Sequence, residues 1–217
     1  MCGRYMITSS FEAMARLFEA ELDIGGNVIG DAARPNVSPT EAIPVVVGDG
    51  DRRRLVAMRW GLVPPWYKTP TGGPLLINAR AESVAKKPAF ARAVRERRCL
   101  IPADGFYEWR GEKGAKEPFV IRPPGGGIIA FAGLWESWRG QPTAAIVTCA
   151  ANARLAPIHE RMPVVLAPGD HALWLGEDGH GAARLMVPAP EEALVATSAD
   201  EGTRERLGRP DRVAAVL

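Results

Sequence analysis

Cysteine is scarce in this chain. Cys2, Cys99 and Cys149 are odd in number and have no Cys-x-x-Cys spacing, so neither a disulfide framework nor a zinc site is encoded. Long apolar runs are missing as well: Ile128 to Trp135 is among the longest, far short of the ~18 residues a membrane-spanning helix needs. The start, Met1-Cys2-Gly3-Arg4-Tyr5, has no basic segment followed by an apolar stretch, so the expected compartment is the cytoplasm and no membrane partner is expected. Charge of one sign is not in large excess either, because 27 basic against 25 acidic residues leave a net +2, which points to no class of partner.

What is present is an ordinary globular composition. Of 217 residues, 47% are hydrophobic and 24% charged, close to the ~45–50% and ~25% of folded domains, and the length suits a single domain over residues 1–217, expected to be a monomer. Glycine (23) and proline (19) together exceed the usual ~12%, which favours short elements joined by many turns. Ser9-Ser10-Phe11-Glu12 resembles a capping box, and Phe11, Met14, Leu17 and Phe18 follow at helical spacing, predicting a helix over 10–20. Pro88, Phe90, Val94 and the basic turn at Arg95, Arg97 and Arg98 predict a second, and residues 169–175 a third.

About eight β-rich runs lie between Gly and Pro breaks: 43–47, 55–62, 99–101, 106–109, 119–121, 128–134, 144–149 and 164–166. The connections are too short for repeated helical crossovers. An α+β fold is therefore expected, mainly antiparallel, with sheets curling toward an open barrel and short helices at the periphery. Pro123 to Gly127 reads as a turn, not a linker.

The charge is unevenly spread. Residues 80–98 carry seven cations and two carboxylates, a local net of +5, and 22 of the 27 basic residues in the chain are arginine. Arginine forks suit phosphate, although a GC-rich genome would also enrich them.

The second residue carries the sharpest chemistry. Methionine aminopeptidases generally remove Met1 when a small residue follows, which would leave Cys2 at the terminus. Its α-amine (normal pKa ~7.7–8.0) and thiol (~8.5) would then form a 1,2-aminothiol. An aldehyde condenses with the amine to an imine, and the thiol closes it to a five-membered thiazolidine. A buried small residue in a terminal strand is the plainer alternative. Glu108, alternating with Tyr107 and Trp109 and sharing a face with Phe106, is either an aromatic-shielded acid–base group or a surface carboxylate. His159, one of three histidines, lies in a loop and suits either proton transfer or a structural hydrogen bond. Asn78 could orient a substrate hydroxyl or simply form a turn. Trp66 and Tyr67, between Pro65 and Lys68, could stack on bases, whereas Trp60 reads as core.

In order along the chain, the segments Met-Cys-Gly-Arg-Tyr, Asn36-Val37-Ser38-Pro39-Thr40, Arg59-Trp60-Gly61-Leu62-Val63-Pro64, Asn78-Ala79-Arg80-Ala81-Glu82, Cys99 through Trp109, Ala132-Gly133-Leu134-Trp135-Glu136 and His159-Glu160-Arg161-Met162-Pro163 together resemble the SRAP family, the SOS response-associated peptidase-like proteins. The resemblance implies a sensor that crosslinks abasic sites in single-stranded DNA through a thiazolidine at Cys2, with reversal of the crosslink or β-elimination of the strand as further activities. In a bacterium it would act at the nucleoid. It implies active-site roles for Cys2, Asn78, Glu108 and His159. Phosphate contacts would come from Arg4, Arg80 and Arg161, a wedge from Trp66 and Tyr67, and further site contacts from Pro39 and Thr148. No cofactor and no metal are implied. The family name also implies self-processing, which here would concern Met1 alone. The residues by themselves leave two other readings open, a cysteine amidohydrolase with an N-terminal nucleophile and a noncatalytic single-strand-binding module.

Overall fold

The computed structural model describes residues 2–25, 30, 33–112 and 115–208. Its centre is a closed barrel. Strands β4 (Ala42–Asp49) and β5 (Arg52–Trp60) form a hairpin, β4 pairs with β7 (Arg98–Ala103), β7 with β10 (Ile129–Trp138), and β10 with β11 (Gln141–Ala150). The ring closes where β11 meets β5 in parallel, Thr143 opposite Arg59 and Ala144 opposite Trp60. The expected curling thus runs to full closure, which leaves no open edge in the five-strand ring. Short strands attach outside it: β2 (Ala20–Asp23) on β5, β6 (Asn78–Arg80) and β12 (Arg161–Pro163) on β11, and β13 (Val165–Leu166) on β10.

A second sheet of five strands packs against the barrel. Its order is β14 (Val195–Ser198), β9 (Glu117–Arg122), β8 (Gly105–Arg110), β1 (Tyr5–Ile7) and β3 (Arg34–Val37), all antiparallel. Aromatic residues join the two layers. Tyr5 meets Trp60 edge-on at 5.1 Å and Phe131 at 6.0 Å, and Phe106 meets Phe131 at 5.8 Å. Each such pair adds about 0.5–1.5 kcal/mol beyond the area it buries. The chain just after Cys2 is therefore anchored in the core.

Helix α1 covers Phe11–Leu17 and is capped by Ser10, whose hydroxyl accepts from the Ala13 amide. It is shorter than the expected 10–20, because Glu19 turns to a positive φ and Ala20 already opens β2. Ser9 does not cap; its hydroxyl donates to Asp104, which also accepts the amides of Thr8 and Ser9. The second expected helix is two single turns, α2 (Pro88–Ala91) and α3 (Ala93–Glu96), with Arg98 already in the barrel. The third begins as a 3-10 turn over Pro168–Asp170 and continues as α4 (His171–Leu175), stopped by Gly176 in the left-handed region. Helix α5 (Glu201–Leu207), which has no counterpart in the sequence reading, lies on the outer face of the second sheet, where Leu207 packs with Met6, Tyr107 and Val120.

The eight expected strands are all present, and Pro123–Gly127 is the turn between β9 and β10. The six unforeseen ones, β1, β2, β3, β6, β12 and β14, are each three or four residues long, too short for an alternation to register. Gly105 is a position no other residue suits: φ is +151°, and a Cβ there would lie 2.6 Å from the Ile121 carbonyl oxygen.

Candidate functional site

Cys2 is separated from the anchored strand β1 by Gly3 and Arg4 and is completely buried. Asn78 Nδ2 donates to its backbone carbonyl at 2.9 Å, and the Arg4 amide donates to its sulfur. Burial, followed by the negative charge of Glu108, pushes the thiol well above its usual range. The sulfur is thus held as a thiol and becomes a nucleophile only if a base takes its proton during attack. Cys99 and Cys149 are buried too, so burial alone does not single Cys2 out. Its neighbours do.

Asn78 opens strand β6, which runs parallel to β11 with Asn78 opposite Ile146 and Arg80 opposite Thr148. With its amide nitrogen on Cys2, the Oδ1 atom is left buried and without a hydrogen-bond partner. An unmet acceptor in a protein interior is costly, which makes it a natural place for a hydroxyl from outside the chain.

Glu108 lies on β8, beside β1 in a register that sets Phe106 opposite Tyr5. Phe106 and Glu108 share a face, as the alternation expects, and of the two readings left open for Glu108 the structure shows the buried one, at 3% exposed. Its charge acts on the Cys2 thiol on one side and on His159 on the other. His159 is half-buried, and its Nδ1 accepts the Arg161 amide at 2.9 Å, which puts the proton of the neutral ring on Nε2. Burial lowers the His159 pKa, and the Glu108 carboxylate partly opposes this. Cys2, Asn78, Glu108 and His159, drawn from four separate parts of the sequence, are therefore one cluster.

The residues expected to meet DNA are less uniform. Arg80 is exposed, and among the described residues it has no ion-pair partner. Arg161 instead grips Glu82 with both nitrogens, at 2.6 and 3.0 Å, and donates to the Thr148 carbonyl at 2.7 Å. Thr148 is fully buried on β11 beside Arg80 and Arg161. Arg4 is half-buried and donates to Asn36 Oδ1 at 2.8 Å, while Asn36 in turn donates to the Arg206 carbonyl of α5. Trp66 is 60% exposed and Tyr67 half-buried, their rings edge-on at 6.5 Å. Trp138 Nε1 holds the loop by donating to the Tyr67 carbonyl. Pro39 is half-buried in the turn before β4, where the Thr40 amide donates to the Trp60 carbonyl at 2.7 Å.

Several neighbours of the cluster carried no signal of function in the sequence. Tyr5, whose hydroxyl is buried without a hydrogen-bond partner, senses the Cys2 thiol and the Arg34 and Glu41 charges. Asn36 and Glu82 hold Arg4 and Arg161, respectively. Asn36 and Glu82 sit inside segments that resemble the family, but only the folded chain says which arginine each holds. Among the described residues, no group of three or more His, Cys, Asp or Glu side chains is placed to hold a metal ion, and no helix is long and apolar enough to cross a membrane.

This two-layer arrangement is that of a set of solved structures. A Bacteroides thetaiotaomicron protein matches with a TM-score of 0.82 over 98% of both chains at 22% identity. A phage-related protein of Bordetella bronchiseptica matches at 0.71 over 92% of this chain and 95% of that one, at 26% identity. The chain belongs to the SRAP family, SOS response associated peptidase, whose family model matches residues 1–202. Among its relatives is the abasic site processing protein YoaM of Bacillus subtilis (strain 168), 40% identical over 181 residues, 81% of this chain and 79% of that one. The abasic site processing protein YedK of Escherichia coli (strain K12) is 31% identical over 189 residues, 83% of this chain and 82% of that one.

Proposed function

We propose that this chain processes abasic sites by capturing them, in single-stranded DNA, as a thiazolidine on Cys2. The observation that carries the reading is the cluster itself: a buried cysteine at the second position, gripped through its carbonyl by Asn78 and electrostatically coupled to Glu108, which is coupled in turn to His159. Relatives named for abasic site processing support the substrate class.

The chemistry follows from the groups. Met1, which lies outside the described residues, must be removed to free the Cys2 amine. An abasic deoxyribose is mostly a closed hemiacetal, so its ring must open first. As the C1′–O4′ bond breaks, the Nε2–H of neutral His159 hydrogen-bonds the ring oxygen while the proton of the anomeric hydroxyl passes by way of the Glu108 carboxylate to that oxygen, and the unmet Oδ1 of Asn78 accepts a hydroxyl of the opened sugar. The amine adds to the aldehyde carbon, and the resulting hydroxyl leaves as water once Glu108 has delivered a proton. That proton and the one that completes the water are the two protons of the amine, moved to the oxygen by the Glu108 carboxylate, which leaves a neutral imine. Glu108 then takes the thiol proton as sulfur adds to the imine carbon and passes it to the nitrogen, ending as the carboxylate it began as. One water is lost and nothing is oxidised.

Exposed Arg80 supplies a phosphate contact, and Trp66 with Tyr67 supplies an aromatic surface on which bases stack. Arg161 reaches a phosphate only by exchanging it for Glu82. The test is Cys2→Ala: covalent capture of an abasic oligonucleotide should vanish, with noncovalent binding of the same strand largely retained. Capture that survives the substitution would end this reading.

A further inference from the structure

A groove of about 390 Å³ opens beside the cluster. It lies within the ~300–1,000 Å³ range of small-ligand sites. Its floor and walls are apolar, from Leu75, Leu76 and Phe90, with Pro88 and Ala89 of α2 along one side. Two cations, Arg80 and Lys87, stand at its polar rim, and among the described residues neither has an ion-pair partner. The groove is continuous with the cluster through Asn78, which lines it and bonds the Cys2 carbonyl. An apolar slot with a cationic rim matches a nucleotide, a flat apolar base joined to an anionic phosphate, better than it matches a lipid or an apolar peptide.

We propose that this groove takes the nucleobase next to the abasic residue on the captured strand, with Arg80 and Lys87 neutralising the adjoining phosphate. The proposal rests on the capture reading above and adds to it a dependence on the flanking base. A strand whose sugar reaches Cys2 must carry its neighbouring nucleotide past Asn78, where the groove begins. Burying that base compensates for the stacking lost on leaving the strand and holds the sugar against the amine.

The experiment compares capture rates for single-stranded oligonucleotides with one abasic site, in which the nucleotide on its 5′ or 3′ side is replaced in turn by a tetrahydrofuran spacer that has no base and no aldehyde. Loss of the base on one side should slow capture by about 5- to 160-fold at subsaturating DNA, the span that base stacking supplies. Ala89→Trp, which fills the groove, should lower capture of the intact oligonucleotide to the spacer rate and erase the difference. Lys87→Glu, on an exposed side chain, should shrink the difference without the packing change. Equal rates for all oligonucleotides, or a difference untouched in Ala89→Trp and Lys87→Glu, would overturn the proposal. The same oligonucleotides are also titrated noncovalently against Cys2→Ala. A spacer effect there, with no adduct from the wild-type chain, would keep the base pocket and remove the capture chemistry. An adduct without any spacer effect would do the reverse.

Discussion

The two layers of the molecule contribute different things to the site. The five-stranded sheet holds the acid–base group Glu108 on β8, and Cys2 leads through Gly3 and Arg4 into its strand β1. The barrel and its attached strands bring Asn78, Arg80, Thr148, Arg161 and the loop that ends in His159. The thiol and its proton relay thus come from one layer, His159, the positioning amide and the cations from the other, and the aromatic joint of Tyr5, Trp60, Phe106 and Phe131 fixes their separation. A substitution of Glu108 on the first side should affect chemistry without binding, and one of Arg80 on the second binding more than chemistry.

The largest expected effect is on the reacting side. Glu108→Gln keeps the shape but cannot relay protons, so single-turnover capture should fall by roughly 10²–10⁴-fold while noncovalent affinity stays within about twofold. A parallel loss of affinity would erase the division between the layers. Next comes a contrast within the basic segment. Arg97 is bound to buried Glu136 and stacked over Trp135, so Arg97→Ala should cost about 2–4 kcal/mol of stability in denaturant unfolding, leaving the salt dependence of DNA binding unaltered. Arg80→Ala should do the opposite. The log–log salt slope should become shallower by about 0.7, with stability unchanged within about 0.5 kcal/mol. An unchanged slope would take Arg80 off the DNA path.

The smallest effect concerns His159. Burial lowers its pKa, so NMR titration should place its midpoint below the ~6.5 of a free imidazole, and Glu108→Gln, by removing a nearby carboxylate, should lower it further. The sign for stability follows. The neutral ring favours the folded state, so its contribution is whole above about pH 6.5 and is lost as pH falls from there to the lower folded midpoint. A midpoint above that of the free side chain would mean that the Glu108 charge outweighs burial.

Much of this was legible in the sequence, for reasons that differ by residue. The long strands declared themselves by apolar runs between Gly and Pro, and alternation put Glu108 on the face of Phe106, but only the fold shows that this face is buried. Closure of the ring was not legible, because it depends on two backbone bridges between β5 and β11, which are some 80 residues apart in sequence. Nor was the fate of the basic segment. Of the cations behind its +5 count, Arg92 pairs with Glu96, Arg97 with Glu136, and Arg98 donates to the carbonyls of Trp174, Val94 and Arg95. A charge count does not separate cations that hold the fold from those left for a ligand. Arg161 makes the same point. The family resemblance implies a phosphate contact for it, and in the fold it holds Glu82.

The most direct test of the account is intact-mass analysis, under denaturing conditions, of the purified protein after incubation with single-stranded DNA bearing one abasic site, beside an undamaged strand. The expected product is a heat-stable adduct with the mass of the chain lacking Met1 plus the DNA minus one water, absent from the control. A chain that begins at Cys2 and yields no adduct would contradict the central claim.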